Sequence, residues 1–192
     1  MITNRGRLAF LLIAIGAIGI IYLGYLSPTT LNLARAEKIA NNYLESLNSP
    51  DIAIDEIMEF EYNFYVVYYE KSRGIGAFEM LIDKESGRIF PEYGPNMMWN
   101  TKYGHSGMMG GFTQPTSRGD VDEEEALQIA QGFLDMVYPG SEADDPHPFY
   151  GYYTIHTMRD GEIFGMLSVN TYDGEVWYHN WHGEYLQSLE SH

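Results

Sequence analysis

Ala36-Glu37-Lys38-Ile39-Ala40-Asn41-Asn42-Tyr43-Leu44 is matched later in the chain by Ala126-Leu127-Gln128-Ile129-Ala130-Gln131-Gly132-Phe133-Leu134. In each copy apolar residues recur at i, i+3, i+4, i+7 and i+8, the stripe of an amphipathic helix with one buried face. The pairing predicts a duplicated chain in which each half opens with a helix. Start signals stand upstream of both: Thr29-Thr30 before the first, and Asp120 before the second with Glu123 three residues on, in the capping-box position. The run Asp122-Glu123-Glu124-Glu125 falls in the first turn, where the positive end of the helix dipole favours carboxylates.

Working outward, each helix is followed by a polar loop and then by strand-rich sequence. Phe60 to Tyr69 and Gly76 to Ile82 flank Lys71-Ser72-Arg73-Gly74, and Phe149 to Met158 and Ile163 to Val169 flank Arg159-Asp160-Gly161. Aromatic and β-branched runs around such turns read as hairpins. A third strand closes each half, because Ile82-Asp83-Lys84-Glu85-Ser86-Gly87-Arg88-Ile89-Phe90 aligns with Val169-Asn170-Thr171-Tyr172-Asp173-Gly174-Glu175-Val176-Trp177. Both place Gly where a tight turn requires positive φ. The predicted class is α+β: two helix-plus-antiparallel-sheet repeats, 29–93 and 120–192, packed together because one three-stranded unit has little core of its own.

The pattern resembles the PepSY-like family of extracytoplasmic modules. The Ala-x-x-Ile-Ala helix and the closing strand-turn-strand carry the resemblance, in two copies across most of residues 30 to 185. It implies helix-plus-antiparallel-sheet units outside the cytoplasm, with roles in binding and inhibition and not in catalysis. The chain has no protease segment for such a module to accompany as a propeptide.

Ahead of the repeats, Leu8 to Leu26 reads LAFLLIAIGAIGIIYLGYL and carries no charge. At 1.5 Å per residue it spans about 28 Å, near the hydrocarbon thickness of a bilayer. Tyr22 and Tyr25 suit the interface, and Arg5 and Arg7 are the only charged side chains before Ser27. The positive-inside rule then sets residues 1–28 as cytoplasmic tip and transmembrane anchor, with the bulk of the chain extracytoplasmic. A cleaved signal peptide is the competing reading. It fits less well, since the apolar run exceeds the usual length and Gly24-Tyr25-Leu26-Ser27-Pro28 makes a poor cleavage site.

The net charge of -16 repels nucleic acid, and the absence of cysteine excludes disulfides, thiolate metal sites and Cys nucleophiles. With 16 Tyr, 9 Phe and 3 Trp the chain can still bury a core by packing alone. The glycine-rich linker 94–119 has no helical or strand period. It carries Met97, Met98, His105, Met108 and Met109, thioether and imidazole ligands that suit copper(I). The same residues also serve as adaptable packing.

His179-Asn180-Trp181-His182 is a second candidate. Its imidazoles share a face in a helix and diverge in a strand. With His156, and with Glu175 or Glu184, they would form a zinc-type site. The acidic runs lack EF-hand spacing, and no G-x-S-x-G, H-E-x-x-H, P-loop or dinucleotide fingerprint is present. The expected function is a non-catalytic, membrane-anchored binding or accessory module serving a membrane complex or an extracytoplasmic protein. Copper handling by the linker is the alternative.

Overall fold

The computed structural model describes residues 31–104 and 119–190. The stretch 8–26 read as a membrane anchor lies outside the described residues, as do His105, Met108 and Met109. Among the described residues no helix is long and apolar enough to cross a membrane.

The two amphipathic stretches are helices, α1 (Leu33–Ser46) and, later in the chain, α3 (Glu123–Val137). Their caps sit closer in than the sequence suggested. Asn32 Oδ1 accepts the Arg35 N–H at 3.1 Å, and Asp122 Oδ1 accepts the Glu125 N–H at 3.0 Å. Only the residue directly before the first helical position can reach those free amides, so Thr29-Thr30 and Asp120 stand too far upstream. Ala36 and Ala40 in α1, and Ala126, Ala130 and Leu134 in α3, are buried. Alanines on the inner face let each helix lie close on its sheet. The linker also holds a short helix, α2 (Pro95–Met98), with Pro at its start.

The first half has four strands and the second five, where three were expected in each. The first half holds β1 (Ile52–Phe60), β2 (Asn63–Glu70), β3 (Ile75–Asp83) and β4 (Ile89–Pro91). The second holds β5 (Glu142–Phe149), β6 (Tyr152–Arg159), β7 (Glu162–Asn170), β8 (Val176–Tyr178) and a final β9 (Tyr185–Glu190). The polar loops predicted after the helices are in fact β1 and β5. In β5 the sequence Asp144-Asp145-Pro146-His147-Pro148 hides the strand, because proline is admitted where the ladder is incomplete. The β2–β3 and β6–β7 hairpins and the closing strands follow the sequence reading. Gly87 and Gly174 take φ of +69° and +72° in corresponding turns.

All nine strands join one sheet in the order β8-β7-β6-β5-β3-β2-β1-β9, with β4 also on β3. The sheet is mixed and not purely antiparallel. The second edge of β3 is shared: β4 takes Met80–Ile82, and Gly76 pairs in parallel with Phe149 of β5. Chain connectivity then forces curvature. Segment 179–184 joins β8 to β9 at the two ends of the order, and so short a segment reaches about 24 Å. Flat strands about 4.8 Å apart would set those ends about 34 Å from each other.

The curl gives three cores. α1 covers one outer face over Ile54, Phe64, Val66 and Ile82, and α3 covers another over Ile155, Leu167 and Val169. Between them, Met58, Phe60, Tyr65, Leu81, Tyr152 and Met166 meet on the inner face from both halves. Strand alternation sorts the residues, since Phe64, Val66 and Tyr68 face α1 while Tyr65 and Val67 face inward.

At the seam, Glu70 ties three segments. Its carboxylate accepts bonds from Lys102 Nζ and the Tyr103 hydroxyl of the linker, and from the Tyr150 hydroxyl at 2.7 Å. Burial alone would raise the Glu70 pKa, but these donors hold it below the usual carboxylate value. Its contribution is therefore present above the unfolded value of about 4.3 and is lost as pH falls through the depressed folded value. Glu70→Gln should cost about 2 kcal/mol at neutral pH and progressively less in acid, read from urea melts across pH. A Cβ on Gly76 would run into the Phe149 ring, which stacks on Tyr152 at 4.9 Å and is held there. Gly76→Val should therefore destabilise by about 1–3 kcal/mol in the same melts.

Candidate metal centre

The inner face is not wholly apolar. Alternation that points Tyr65 inward from β2 also points Glu79 from β3, Tyr152 and Thr154 from β6 and Ser168 from β7. Two further groups enter where the closing strands end. Glu92 follows β4 and its N–H bonds Glu79 O at 3.0 Å; His179 follows β8 and its N–H bonds Met166 O at 3.0 Å. In the alignment of the two closing strand-turn-strands these are the same position, occupied by a carboxylate in one half and an imidazole in the other.

The segment His179-Asn180-Trp181-His182 is neither helix nor strand. It is the crossover that closes the curled sheet, anchored where Tyr62 N–H bonds His182 O at 3.0 Å. Turning there, it brings both imidazoles to one side. His179 Nδ1 lies 3.0 Å from Glu92 Oε1, and His182 Nε2 lies 3.1 Å from the same oxygen. The ligating atoms of all three residues fall within 4.8 Å of one another. Glu92 is 0% exposed and His182 1%. His182 stacks on Phe60 at 4.6 Å and His179 on Trp181 at 4.9 Å, which fixes both ring planes.

The hydrogen atoms do not close this cluster. Asn63 donates its amide to Trp181 O at 3.3 Å, which leaves Asn63 Oδ1 facing His182 Nδ1 at 2.8 Å. That oxygen only accepts, so Nδ1 carries a proton, and in the neutral ring Nε2 presents a lone pair to Glu92 Oε1. A second proton would bridge them, but burial, with His179 beside it, pulls the His182 pKa down despite Glu92. His179 Nδ1 is outside hydrogen-bonding geometry to Glu92, and Glu92 Oε2 has no hydrogen-bond partner. His179 Nδ1 and His182 Nε2 thus converge on one buried carboxylate oxygen, an arrangement that a cation resolves.

The surroundings match what a metal-bound histidine requires. Each imidazole engages its remote nitrogen with an oxygen, His182 Nδ1 with Asn63 and His179 Nε2 with Ser168 Oγ at 2.9 Å. Ser168 continues to Thr154 at 3.1 Å, and Thr154 donates to Glu79 Oε1 at 2.7 Å. Tyr65 also donates to Glu79, and Tyr152 donates to its other oxygen at 2.8 Å. Two imidazoles and a carboxylate suit a zinc-type dication, with a carboxylate oxygen or water completing the set.

Charge is sorted sharply here. Burial would raise Glu92, but His179 and His182 bring it down to about 2. Burial and the Glu92 charge push Glu79 up to about 8. Burial opposes charge on His179, but Glu92 outweighs it and raises the imidazole.

The structure brings together His179 and His182 of the residues singled out in the sequence. Their carboxylate partner is Glu92, neither Glu175 nor Glu184, because the curl of the sheet and not chain proximity sets the neighbours. His156 stands elsewhere, with His147. Met97 lines a cavity of about 310 Å³ with Tyr43, Phe78, Met80 and Tyr103, whereas Met98 is exposed. Glu92 escaped the sequence reading, although extending the closing-strand alignment by two residues sets it opposite His179.

No family model matches the chain, and no curated protein matches it. Among solved structures it is similar to the Bacillus megaterium YpeB C-terminal domain, at 10% identity and a TM-score of 0.29. The match covers 78% of this chain and 62% of that one, so the chain spans less than two thirds of that structure. A likeness of this size assigns neither family nor activity.

Burial and the Glu92 charge raise the Glu79 pKa to about 8 in the fold, while unfolded it ionises at about 4.3. Its folded pKa lies above the unfolded one, so wild-type stability relative to Glu79→Gln should fall as pH rises between those values and level off above them. Urea unfolding of both chains, stripped of metal, measures this. Parallel profiles would mean that Glu79 is ionised in the fold.

Proposed function

We propose that this chain is a membrane-tethered, extracytoplasmic, non-catalytic binding module whose interior centre on Glu92, His179 and His182 holds a zinc-type dication. The single observation that carries the metal reading is the convergence of His179 Nδ1 and His182 Nε2, at 3.0 and 3.1 Å, on one oxygen of a fully buried carboxylate. The halves are tandem PepSY-like repeats in this reading. The repeated helix motif supports it, as do the equivalent backbone bonds of Glu92 and His179. The uncharged stretch 8–26 and Arg5 and Arg7 support the tether and its orientation.

Because Glu92 comes from the first half and both histidines from the second, the ion's role is to fasten the halves. A rigid module of this kind then presents a partner surface to a membrane complex or an extracytoplasmic protein. The apolar cavity beside α1 and the linker supports binding of such a client. Met97 and Met98 diverge, so the interior centre is preferred here to a copper site on the linker.

The full-length chain, purified in mild detergent, should retain one tightly held zinc ion by elemental analysis. Strong chelation should lower its melting temperature, and His182→Ala should weaken zinc binding by roughly a hundredfold. A chain that carries no metal, takes none up and melts alike with and without chelator would leave Glu92, His179 and His182 as a protein-only ionic network.

A further inference from the structure

The two first strands carry matching irregularities. The β1–β2 register slips between Ile54 and Glu56, and the β5–β6 register slips between Asp144 and Pro146. The extra residue is aspartate in both cases, Asp55 and Asp145. A bulge of this kind re-aims a side chain out of the alternating pattern. Asp145 adopts φ +51°, a left-handed conformation that aspartate visits more readily than most residues, and its N–H bonds Asp144 Oδ1 at 2.9 Å.

The result is a cluster of metal-type ligands away from the interior centre. Asp145 Oδ2 lies 3.0 Å from His147 Nε2 and 3.5 Å from His156 Nδ1, so one carboxylate oxygen faces two imidazoles. From the first half, Glu56 Oε2 lies 3.9 Å from His156 Nε2, and Asp55 Oδ2 lies 3.6 Å from His147 Nδ1. Glu56, His147 and His156 can each offer a ligand atom within 4.8 Å of the others. The His156 side chain is only 9% exposed and sits between the two carboxylates at separations beyond good hydrogen-bond length. Ligands about 2 Å from a shared ion would stand about 3.3 Å apart, near the 3.9 Å between Glu56 Oε2 and His156 Nε2.

We propose that Glu56, His147 and His156, with Asp145 at the rim, form a second site that takes a divalent transition-metal ion such as zinc. This site differs from the interior one in access. The Asp145 side chain is 63% exposed and that of His147 25%, so solvent reaches the ligands and leaves a coordination position open. An ion here exchanges freely with chelators or with ligand groups on a partner, whereas one on Glu92 is enclosed. The mixed imidazole and carboxylate set favours zinc, copper(II) or nickel(II) over calcium or magnesium. The site is independent of the Glu92 centre and stands whether or not that centre holds metal.

Zinc titration of the full-length chain in detergent, against a chromophoric chelator, tests this. The wild type should show a zinc equivalent that the chelator removes within mixing time. Replacing both His147 and His156 by Ala should weaken that equivalent roughly tenfold or more while leaving slowly exchanging zinc in place. His182→Ala should do the reverse, so failure of one site is distinguishable from failure of the other. Asp145→Asn guards against misfolding of the double variant, since asparagine accepts the same left-handed backbone, and it should weaken the fast equivalent too. A fast equivalent of unchanged affinity in these variants, or none in the wild type, would overturn the proposal and leave the cluster as His–Asp ion pairs.

Discussion

A carboxylate removed completely from water keeps its charge only if positive charge or donors stand against it, and Glu92 sets that requirement at the centre of this fold. The groups that answer it, His179 and His182, belong to the other half of the chain and lie on the segment that closes the sheet. Neither half can satisfy the centre alone. Satisfying Glu92 and curling the sheet are therefore one event, and the hydroxyl chain from Ser168 through Thr154 to Glu79 extends it across the interior.

The two halves give this centre its chemistry by differing at one corresponding position. Equivalent positions after the closing strands carry glutamate in one half and histidine in the other. A symmetric pair would have set two carboxylates or two imidazoles against each other, which would repel or leave no counter-charge. At the bulges of β1 and β5 the two halves instead agree, with aspartate at both, and the imidazoles come from β5 and β6. The halves thus meet through ionisable groups both in the enclosed interior and at the surface.

Several elements were legible because their signals are local. The helices follow from a stripe of apolar residues at helical spacing, the hairpins from aromatic and β-branched runs around turn residues, and the closing turns from Gly87 and Gly174. β5 was not legible, since Pro146 and Pro148 argue against a strand unless its partner edge is known to be open. β9 was missed because its pairing with β1 joins residues from opposite ends of the described chain. The caps were misplaced by two residues because capping depends on where the first free amide points.

By itself, the sequence determined the α+β class, the two amphipathic helices, the hairpins and the presence of His179 and His182 as paired imidazoles. All of these depend on residues close together along the chain. Tertiary structure alone decided that the sheet is single, mixed and curled. It also decided that the crossover turns both imidazoles to one side, and that Glu92 supplies the carboxylate in place of Glu175 or Glu184. The physical reason is that strand alternation specifies which face a residue takes, while the curl of the sheet specifies which faces meet.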